Sequence, residues 1–478
     1  MKKRAGVLFP LSSLPSRYGV GDFGEEAYQW IDMMVENHIQ IWQILPLNPL
    51  GYGNSPYQPL SSHAGDELYI SLDLLCKEGL IPKRMLEVFH DESSRVDYEA
   101  IREIKNKLFR HAFMHFEETE DYLKFIQREK WVKDYAIFKV FKLVNHNLPW
   151  IEWDEDFKNS KQDYIEKYDE DIRFQMFLQY CFYKQWNALK DYAHRHHMTI
   201  IGDMPIYVGL DSVDVWKNQD CFLLDEIGHP TFVAGVPPDY FSKFGQRWGN
   251  PLYDWDYLSK HHFDFWVERM KAAVSLYDVV RIDHFRAFDT FWKIPEIEPT
   301  AIHGEWIEAP GYDLFDTLYA RIPHLSLLAE DLGDLRQEVY DLRDHYHLMG
   351  MYIFQFHHSQ DMDLSHVVVY TGTHDNDTLK GWLEDIPKKE HTELITLLKE
   401  YKEKEIYQKI IHYCLDTDAK DVIVPIWDVL GCEHEARFNV PGKIGSPNWE
   451  YRLPSFEGVD DDFKLYKNMI DESGRKEE

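Results

Sequence analysis

Eight short runs of apolar residues recur along this 478-residue chain, and turn-forming or acidic residues follow most of them. Uninterrupted apolar runs of this length are typical of parallel strands buried on both faces. Helical patterns, for example over 25–37 and 174–196, separate the runs, and this alternation predicts an α/β fold, a (β/α)₈ TIM-type barrel with large insertions. The predicted strands are 6–9, 39–45, 199–204, 279–283, 325–330, 349–354, 367–371 and 422–425.

Two inter-strand segments are much longer than a single barrel unit requires. Segment 46–198 includes a charged, helical stretch over 99–145, and we predict an inserted, mainly helical subdomain after strand 2. Segment 205–278 is rich in Gly, Pro and aromatic residues, and we predict an inserted loop-rich region after strand 3 that covers substrate. We expect residues 1–478 to form a single catalytic barrel, with a frayed polar tail over 471–478.

Charge and cysteine content exclude several classes of protein. The formal net charge of −31 disfavours nucleic acid and anionic membrane surfaces as partners. No stretch reaches 18 uninterrupted apolar residues, so no membrane span is predicted. The five cysteines include no C-x-x-C pair, which makes a zinc ribbon or a disulfide framework improbable. Reduced thiols and a cytoplasmic location are the expectation.

A glycine-rich segment at 19–24 matches the G-x-G-x-x-G pattern of dinucleotide-binding sites. Two features contradict that interpretation. The first predicted strand ends near Phe9, so a long loop replaces the tight turn of the fingerprint, and the second ends in Ile44-Leu45-Pro46 without an acidic residue for a ribose. We therefore interpret the glycines as turns that precede a helix.

Four predicted strands end in polar clusters, namely Gly202-Asp203-Met204-Pro205, Arg281-Ile282-Asp283-His284, Ala329-Glu330-Asp331 and Thr373-His374-Asp375-Asn376. The carboxyl ends of barrel strands meet at one mouth, where the active sites of this fold lie. We therefore expect at least three carboxylates from different strands to converge. Any single Asp at a strand end more often caps a helix or pairs with Arg, so the argument depends on their joint occurrence.

Converging carboxylates suit glycosidic chemistry, in which one carboxylate attacks the anomeric carbon and one carboxylic acid protonates the leaving oxygen. Arg281 lies two residues before Asp283, so strand alternation places both side chains on one side. A guanidinium there is expected to hold Asp283 ionised and oriented. A divalent-metal hydrolase on the same barrel stays open as an alternative, although the lack of clustered His ligands and the presence of Arg281 disfavour it.

Aromatic residues make up 15% of the chain, and six of them fall close together in the loop-rich segment. Flat aromatic rings can cover the apolar faces of sugars, and they can equally pack a loop core, which we expect of about half of them. These six are Trp216, Tyr240, Phe241, Trp248, Tyr253 and Trp255. Those of the six that do not pack the loop core would form a sugar-binding shelf at the barrel mouth.

Several motifs in order resemble one family, the 4-α-glucanotransferases of glycoside hydrolase family 77, also called amylomaltases or disproportionating enzymes. The resemblance covers nearly the whole chain. The matching segments are 6–15 (GVLFPLSSLP), 19–24, 49–58 (PLGYGNSPYQ), 202–208 (GDMPIYV), 235–242 (GVPPDYFS), 245–251 (GQRWGNP), 281–286 (RIDHFR), 329–333 (AEDLG) and 373–376 (THDN).

The resemblance implies a retaining transfer of an α-1,4-glucan segment. Asp283 matches the family nucleophile, Glu330 the acid/base, and Asp375 the carboxylate that holds the sugar 2- and 3-hydroxyls. The glycosyl chain would pass from Asp283 to the 4-hydroxyl of glucose or a maltooligosaccharide, without cofactor or metal. By the same matching, Arg281, Asp203, His284, His374 and Asn376 would line the donor sugar, Asn54, Ser55 and Tyr57 would lie near the same cleft, and Tyr240, Phe241 and Trp248 would sit on a loop that covers bound glucan.

Three features depart from the family pattern. Ala287 stands where the family usually has Gly, and one methyl group there could affect substrate preference. Ser446-Pro447 replaces a pair that is more often Glu-Gly in the C-terminal motif 439–449. The sequence begins directly at the first predicted strand, and we therefore expect the extra N-terminal domains of longer family members to be absent.

The residues alone do not separate transfer from hydrolysis, because both share the first half-reaction. Excluding water while admitting a sugar requires a lid, for which segment 235–255 is the candidate. A plain α-glucan hydrolase, a metal-dependent barrel hydrolase and a non-catalytic glucan-binding protein stay open as alternatives. The expected partners are α-1,4-glucans and maltooligosaccharides, with glucose as acceptor, no nucleic acid and no membrane, and the expected assembly is a monomer or a weak homo-oligomer.

Overall fold

Twelve strands form two sheets among the described residues of this computed structural model. The structure describes residues 3–238, 242–358, 360 and 362–476. In chain order the strands are β1 (Arg4–Leu8), β2 (Ile41–Gln43), β3 (Thr199–Met204), β4 (Phe232–Val236), β5 (Gln246–Pro251), β6 (Val279–Ile282), β7 (Thr290–Pro295), β8 (Glu305–Glu308), β9 (Leu327–Ala329), β10 (Gly350–Ile353), β11 (Val367–Tyr370) and β12 (Asp421–Pro425).

Eight of these strands form one parallel sheet in the order β10-β11-β12-β1-β2-β3-β6-β9. The sheet closes on itself between β9 and β10, where Leu328 bridges Met349 and the Ala329 N–H donates to the Met349 carbonyl at 2.9 Å. All eight predicted strands are the strands of this barrel, so the TIM-type fold is confirmed. Nearly all their side chains are buried, since one face fills the barrel and the other packs against helices.

The helices surround the barrel and fill the long insertions. They are α1 (Glu25–Glu36), α2 (Leu72–Lys77), α3 (Tyr98–Met114), α4 (Glu120–Arg128), α5 (Trp131–Val144), α6 (Glu155–Lys158), α7 (Gln162–Lys167), α8 (Asp169–Arg195), α9 (Val213–Lys217), α10 (Trp255–Lys260), α11 (Asp264–Leu276), α12 (Gly311–Arg321), α13 (Gln337–His345), α14 (Phe354–His357), α15 (Leu379–Asp385), α16 (Lys388–Leu397), α17 (Ile406–Asp416), α18 (Ile426–Val429) and α19 (Asp460–Glu472). None of the helices described is long and apolar enough to cross a membrane.

The glycine-rich segment 19–24 packs against the helical insertion after β2. Gly19 has a φ of +84°, which an L side chain adopts only under strain. Asp22 accepts a hydrogen bond from the Gly24 N–H at 2.8 Å, and its other oxygen lies 3.3 Å from the buried Lys105 ammonium on α3. Lys105 also donates to the Leu68 carbonyl at 2.6 Å. The segment is therefore a buried structural turn, as expected from its sequence, and the charge of Lys105 is used internally.

A second, four-stranded antiparallel sheet, in the order β5-β4-β7-β8, was not predicted. Its strands β4 and β5 lie in the segment predicted to be loop-rich, whereas β7 and β8 lie between the fourth and fifth predicted strands. The sequence pattern did not reveal it because β5 reads QRWGNP, with Gly, Asn and Pro in positions that disfavour a strand. The edge strand β8 is largely exposed and therefore lacks an apolar run. Segment 205–278 contributes β4 and β5 to this sheet and also contains the three helices α9, α10 and α11.

The C-terminal segment differs from the expectation of a frayed tail over 471–478. The helix α19 continues to Glu472, and Arg475 is fully buried. Its guanidinium donates to the carbonyls of Leu415 at 2.6 Å and Thr417 at 2.8 Å. The prediction of a frayed tail was wrong for the described residues 471–476, because the buried Arg475 holds this segment against the rest of the chain. The polar sequence of the tail does not indicate these contacts. Residues 477–478 lie outside the described residues.

Candidate active site

The carboxyl ends of β3 and β6 bring three charged side chains together at the barrel mouth. Arg281 Nη1 donates to both oxygens of Asp203, at 2.8 and 2.7 Å, and to Asp283 Oδ1 at 3.2 Å. The hydroxyl of Tyr57 donates to Asp203 Oδ2 at 2.7 Å from the loop that follows β2. Asp203 and Arg281 are buried, whereas Asp283 keeps 29% of its side chain exposed. Asp283 is therefore the member of this group with open surface toward the cleft.

The pKa of Asp283 does not follow the expectation that Arg281 alone holds this carboxylate ionised. The shortest contacts of Arg281 are with Asp203, so its charge is shared between two carboxylates. Burial raises the pKa of Asp283 to about 7, and the contact with Arg281 opposes this shift without overcoming it. Without the contact with Arg281, burial would raise the pKa of Asp283 further, so the guanidinium favours the ionised form of this carboxyl.

Glu330 follows β9 directly and lies on the adjoining side of the mouth. Its Oε2 accepts a hydrogen bond at 2.7 Å from the backbone N–H of His284, a residue with a left-handed φ of +53°. Burial, reinforced by the negative charge of Asp283, raises the pKa of Glu330 well above its usual range. The two carboxyls therefore differ in environment: Asp283 faces a guanidinium, and Glu330 tends to hold a proton.

Asp375 lies on the loop between β11 and α15. Its Oδ1 accepts a hydrogen bond of 2.6 Å from the side-chain amide of Asn439 and lies 3.5 Å from His374 Nε2. Its side chain is 44% exposed, so the carboxylate is open to a ligand. His374 is buried and stacks on Tyr57 with ring centroids 5.1 Å apart. Burial lowers the pKa of His374, which favours its neutral form at neutral pH.

Trp248, on β5 of the small sheet, reaches the same cleft. Its indole meets the imidazole of His284 edge to face, with centroids 4.9 Å apart at an interplanar angle of 89°. Its carbonyl accepts a hydrogen bond from Gln58 Nε2 at 3.1 Å. Burial lowers the pKa of His284 to about 4, so this ring is neutral at physiological pH. The small antiparallel sheet thus contributes an aromatic wall beside the carboxylates.

The chain is similar over most of its length to proteins of one family. The family model for the 4-α-glucanotransferases of glycoside hydrolase family 77 matches residues 9–457. A 4-α-glucanotransferase of Clostridium butyricum is 41% identical over 461 residues, which cover 92% of this chain and 94% of the relative. A 4-α-glucanotransferase of Thermus thermophilus is 40% identical, with 94% of both chains covered.

Solved structures agree with this similarity. The amylomaltase from Streptococcus agalactiae in complex with acarbose matches with a TM-score of 0.95 at 34% identity, covering 100% of both chains. The amylomaltase from Corynebacterium glutamicum matches at 18% identity with a TM-score of 0.80, over 99% of this chain and 75% of that one, and supports the fold alone. The chain belongs to the 4-α-glucanotransferase family. It is an enzyme that transfers segments of α-1,4-glucans, as the predicted function stated.

Among the residues predicted to line the donor site of this glucanotransferase, the structure places most around one cleft. Direct contacts link Tyr57, Asp203, Arg281 and Asp283, and a second set links His374, Asp375, Asn439 and the stacked Tyr57. Tyr57 therefore joins the two sets. Their roles toward substrate stay predictions.

Other predicted residues of the glucanotransferase are less directly placed. Ser55 Oγ accepts the Tyr57 N–H at 3.2 Å, and Asn54 lies in the same turn with a left-handed φ of +57°. Asn376 Oδ1 accepts hydrogen bonds from the Thr373 N–H and hydroxyl, both at 2.9 Å, so this amide shapes its own loop. Tyr240 and Phe241 lie outside the described residues.

Two residues of the C-terminal segment were missed as site residues. Asn439 contacts Asp375 directly, and Arg437 Nη2 donates to the Asp375 carbonyl at 3.1 Å. Both lie more than 60 positions from Asp375 in sequence and follow no strand end, so strand-end reasoning could not find them. For Asn439, the family resemblance of the motif that begins at this residue was an available signal, whereas Arg437 lies outside that motif.

One group of possible metal ligands occurs among the described residues. Donor atoms of Asp377, Asp385 and His434 lie within 4.8 Å of one another. His434 Nδ1 is 2.8 Å from Asp377 Oδ2, and Arg437 Nη1 is 3.4 Å from the same oxygen. The hydrogen bond to Asp377 raises the pKa of His434, which favours its charged form. These contacts make the group a network of ion pairs, separate from the carboxylates at the barrel mouth.

Proposed function

We propose that the glucanotransferase reaction runs through a covalent glycosyl ester on Asp283. The Asp283 carboxylate attacks the anomeric carbon, and Glu330 gives its proton to the glycosidic oxygen of the departing chain. The different surroundings of the two carboxyls carry this assignment. Arg281 lies 3.2 Å from Asp283 and favours its ionised form, whereas burial and the charge of Asp283 keep Glu330 protonated.

In the second half-reaction, Glu330 acts as a base, since it has lost its proton in the first. It takes the proton from the 4-hydroxyl of an acceptor, glucose or a maltooligosaccharide, whose oxygen then displaces the Asp283 ester. The second displacement restores the α-configuration. Both carboxyls return to their starting protonation states, so the cycle needs no external acid or base.

Asp375 is proposed to bind the 2- and 3-hydroxyls of the donor sugar. Asn439 donates to its Oδ1 at 2.6 Å, and no described residue donates a hydrogen bond to its other oxygen, which can therefore bind ligand hydroxyls. His284 supports the same assignment: its Nε2 is buried and has no hydrogen-bond partner among the described residues, so it can bond a sugar hydroxyl. Burial keeps this imidazole neutral, so one ring nitrogen carries a proton and can donate a hydrogen bond, and the other nitrogen can accept a hydrogen bond.

Several finer features belong to the same proposal. We expect segment 235–255 to cover the ester intermediate and limit the access of water, a role that the position of Trp248 against His284 supports. A monomer or a weak homo-oligomer in the cytoplasm is expected, and the five free cysteines fit a reducing compartment.

Product analysis after incubation with maltotriose tests the proposed acceptor. Transfer to a sugar yields glucose together with a ladder of longer maltooligosaccharides, because each donor chain is rebuilt on another acceptor. Glucose and maltose alone would show that water takes the glycosyl group, and the acceptor assignment would then be wrong. An undiminished rate in EDTA is the expected control against a metal-dependent hydrolase.

Asp283→Asn tests the nucleophile. We expect the variant to fold and to lose transfer by at least roughly 10³-fold, because the neutral amide is a poor nucleophile and cannot form the ester. Transfer from maltotriose is the measurement, with thermal unfolding as the check on folding. The control is Asp334→Asn, because Asp334 is exposed. The nearer Asp331 is unsuitable as a control, since it accepts a hydrogen bond from the Met351 N–H at 2.8 Å. Appreciable transfer by verified Asp283→Asn would remove this residue as nucleophile.

A further inference from the structure

Arg437 joins two loops that meet beside the proposed donor site. Its Nε donates to the Asn439 carbonyl at 3.0 Å, and its Nη2 donates to the Asp375 carbonyl at 3.1 Å. Its Nη1 lies 3.4 Å from Asp377 Oδ2 on the same loop as Asp375. Each of its three nitrogens therefore has a partner. The three partners, Asp375, Asp377 and Asn439, are Asp375 itself and two residues close to its carboxylate.

The connection continues from Arg437 to the Asp375 side chain. Asn439, whose carbonyl Arg437 holds, donates its own N–H to the His374 carbonyl at 3.1 Å and its side-chain amide to Asp375 Oδ1 at 2.6 Å. Arg437 therefore acts on both ends of this contact: on the backbone of the acceptor, Asp375, and on the backbone of the donor, Asn439. A planar guanidinium suits this task because it presents its N–H groups in a fixed fork.

We propose that Arg437 is a positioning residue that sets the orientation of the Asp375 carboxylate toward the donor sugar. The inference rests on the proposed role of Asp375 in binding the 2- and 3-hydroxyls. Arg437 touches neither Asp283 nor Glu330 in the described contacts, so its effect must pass through Asp375. Removing the fork releases the backbone of both loops, and small displacements of a binding group cost roughly 10–100-fold in rate.

The test compares two donors, α-D-glucosyl fluoride and its 2-deoxy analogue, with maltose as acceptor. For Arg437→Gln we expect kcat/KM with the normal donor to fall about 10-fold or more. With the 2-deoxy donor the loss should shrink to about 3-fold or less, because a hydroxyl bound by Asp375 is missing. Equal losses with both donors would overturn the proposal, since a general structural defect does not discriminate between them.

Two further variants separate positioning from charge and from general damage. Arg437→Lys keeps the charge but cannot span both carbonyls, so it should restore little of the lost rate; full restoration would overturn the proposal. Arg95→Gln is the matched control. Arg95 also donates to two carbonyls of the C-terminal segment, those of Glu435 at 3.0 Å and Pro447 at 3.3 Å, and does not contact Asp375. Its donor preference should stay unchanged.

Asp375→Asn distinguishes failure of this inference from failure of the proposed function. If Asp375 binds the sugar hydroxyls, Asp375→Asn should lose more activity with the normal donor than with the 2-deoxy donor. Absence of that difference would contradict the proposed role of Asp375 itself. If Asp375→Asn shows the difference and Arg437→Gln does not, only the positioning role of Arg437 is overturned. Thermal unfolding of every variant establishes that it is folded.

Discussion

Asp283 and Glu330 carry the same functional group, and their neighbours assign them different protonation states. Burial raises the pKa of both, but only Asp283 lies within 3.2 Å of a guanidinium. Glu330 instead accepts one backbone N–H from His284 at 2.7 Å and faces the charge of Asp283. Because the pair is close, the protons leave in two macroscopic steps that belong to the pair. The step at lower pH is expected to ionise Asp283.

At the residue scale, the pH profile of kcat/KM should be bell-shaped. Activity requires an ionised Asp283, so it rises with pH through an apparent pKa well above 3.8 and near the value of about 7 for Asp283. It falls again when the raised pKa of Glu330 is exceeded and the acid is lost. An acid limb near the ordinary pKa of an aspartate would contradict this assignment.

Glu330→Gln checks which residue gives the alkaline limb. With maltotriose, whose leaving group needs a proton, we expect a loss of at least roughly 10²-fold. With α-D-glucosyl fluoride, whose fluoride leaves without a proton, formation of the glycosyl ester by the variant should be much less affected. The alkaline limb of the pH profile for this step should disappear in the variant. The measurement is the burst of fluoride release against pH. Equal loss with both donors would show that Glu330 is not the acid.

At the scale of elements, the loop between β11 and α15 is held at both ends by one buried residue. Asp428 of α18 accepts the Thr371 hydroxyl and the Leu379 N–H, both at 2.7 Å. Thr371 follows the strand and Leu379 begins the helix, so this carboxyl sets where the intervening loop with Asp375 starts and ends. Burial raises the pKa of Asp428 to about 7.

Asp428→Asn should become more stable relative to the parent enzyme as pH rises. Between the unfolded pKa near 3.8 and the folded pKa of about 7, the folded state holds a proton that the unfolded state has released. The free energy of unfolding of the parent therefore falls across this range, whereas the amide does not ionise. From pH 5 to 8 the variant should gain at most about 2–3 kcal/mol relative to the parent.

Urea unfolding at both pH values measures this difference in the free energy of unfolding. Asp461→Asn is the control, since the Asp461 side chain is 97% exposed and the substitution should give a difference that hardly changes with pH. A difference for Asp428→Asn that is independent of pH, or that shifts toward the parent as pH rises, would contradict the buried-acid interpretation.

At the scale of the whole molecule, Arg475 ties the end of the chain to the closed barrel. In addition to Leu415 and Thr417, it donates to the carbonyls of Arg4, which begins β1, at 3.2 Å, and of Lys420, just before β12, at 3.1 Å. These contacts lie at the amino ends of the strands, on the side of the barrel opposite the active site. Residues there are expected to serve stability.

Arg475→Ala should lower the free energy of unfolding by about 3 kcal/mol or more, because several buried carbonyls lose their donor together. Since the contacts are remote from the mouth, kcat at a temperature where the variant is folded should change less than about 2-fold. Urea unfolding and transfer assays measure the two effects, with Lys476→Ala, an exposed neighbour, as control. A stability equal to that of the parent would show that the buried guanidinium contributes little.

The sequence by itself determined the eight barrel strands and the four polar strand ends, because burial on both faces and the turn to solvent leave a local pattern. With the motif resemblance, it also determined the family and its glucan-transferring activity. The second sheet, with β5 as QRWGNP, carries no such local pattern.

Only the tertiary structure decided which neighbours share each charge. It placed Arg281 mainly on Asp203, brought Asn439 and Arg437 to Asp375, and buried Arg475 among four carbonyls. None of these contacts could be inferred from spacing, because each joins positions that the chain brings together only when the barrel closes. Burial and charge pairing, which set the pKa of a carboxyl, depend on those distant neighbours.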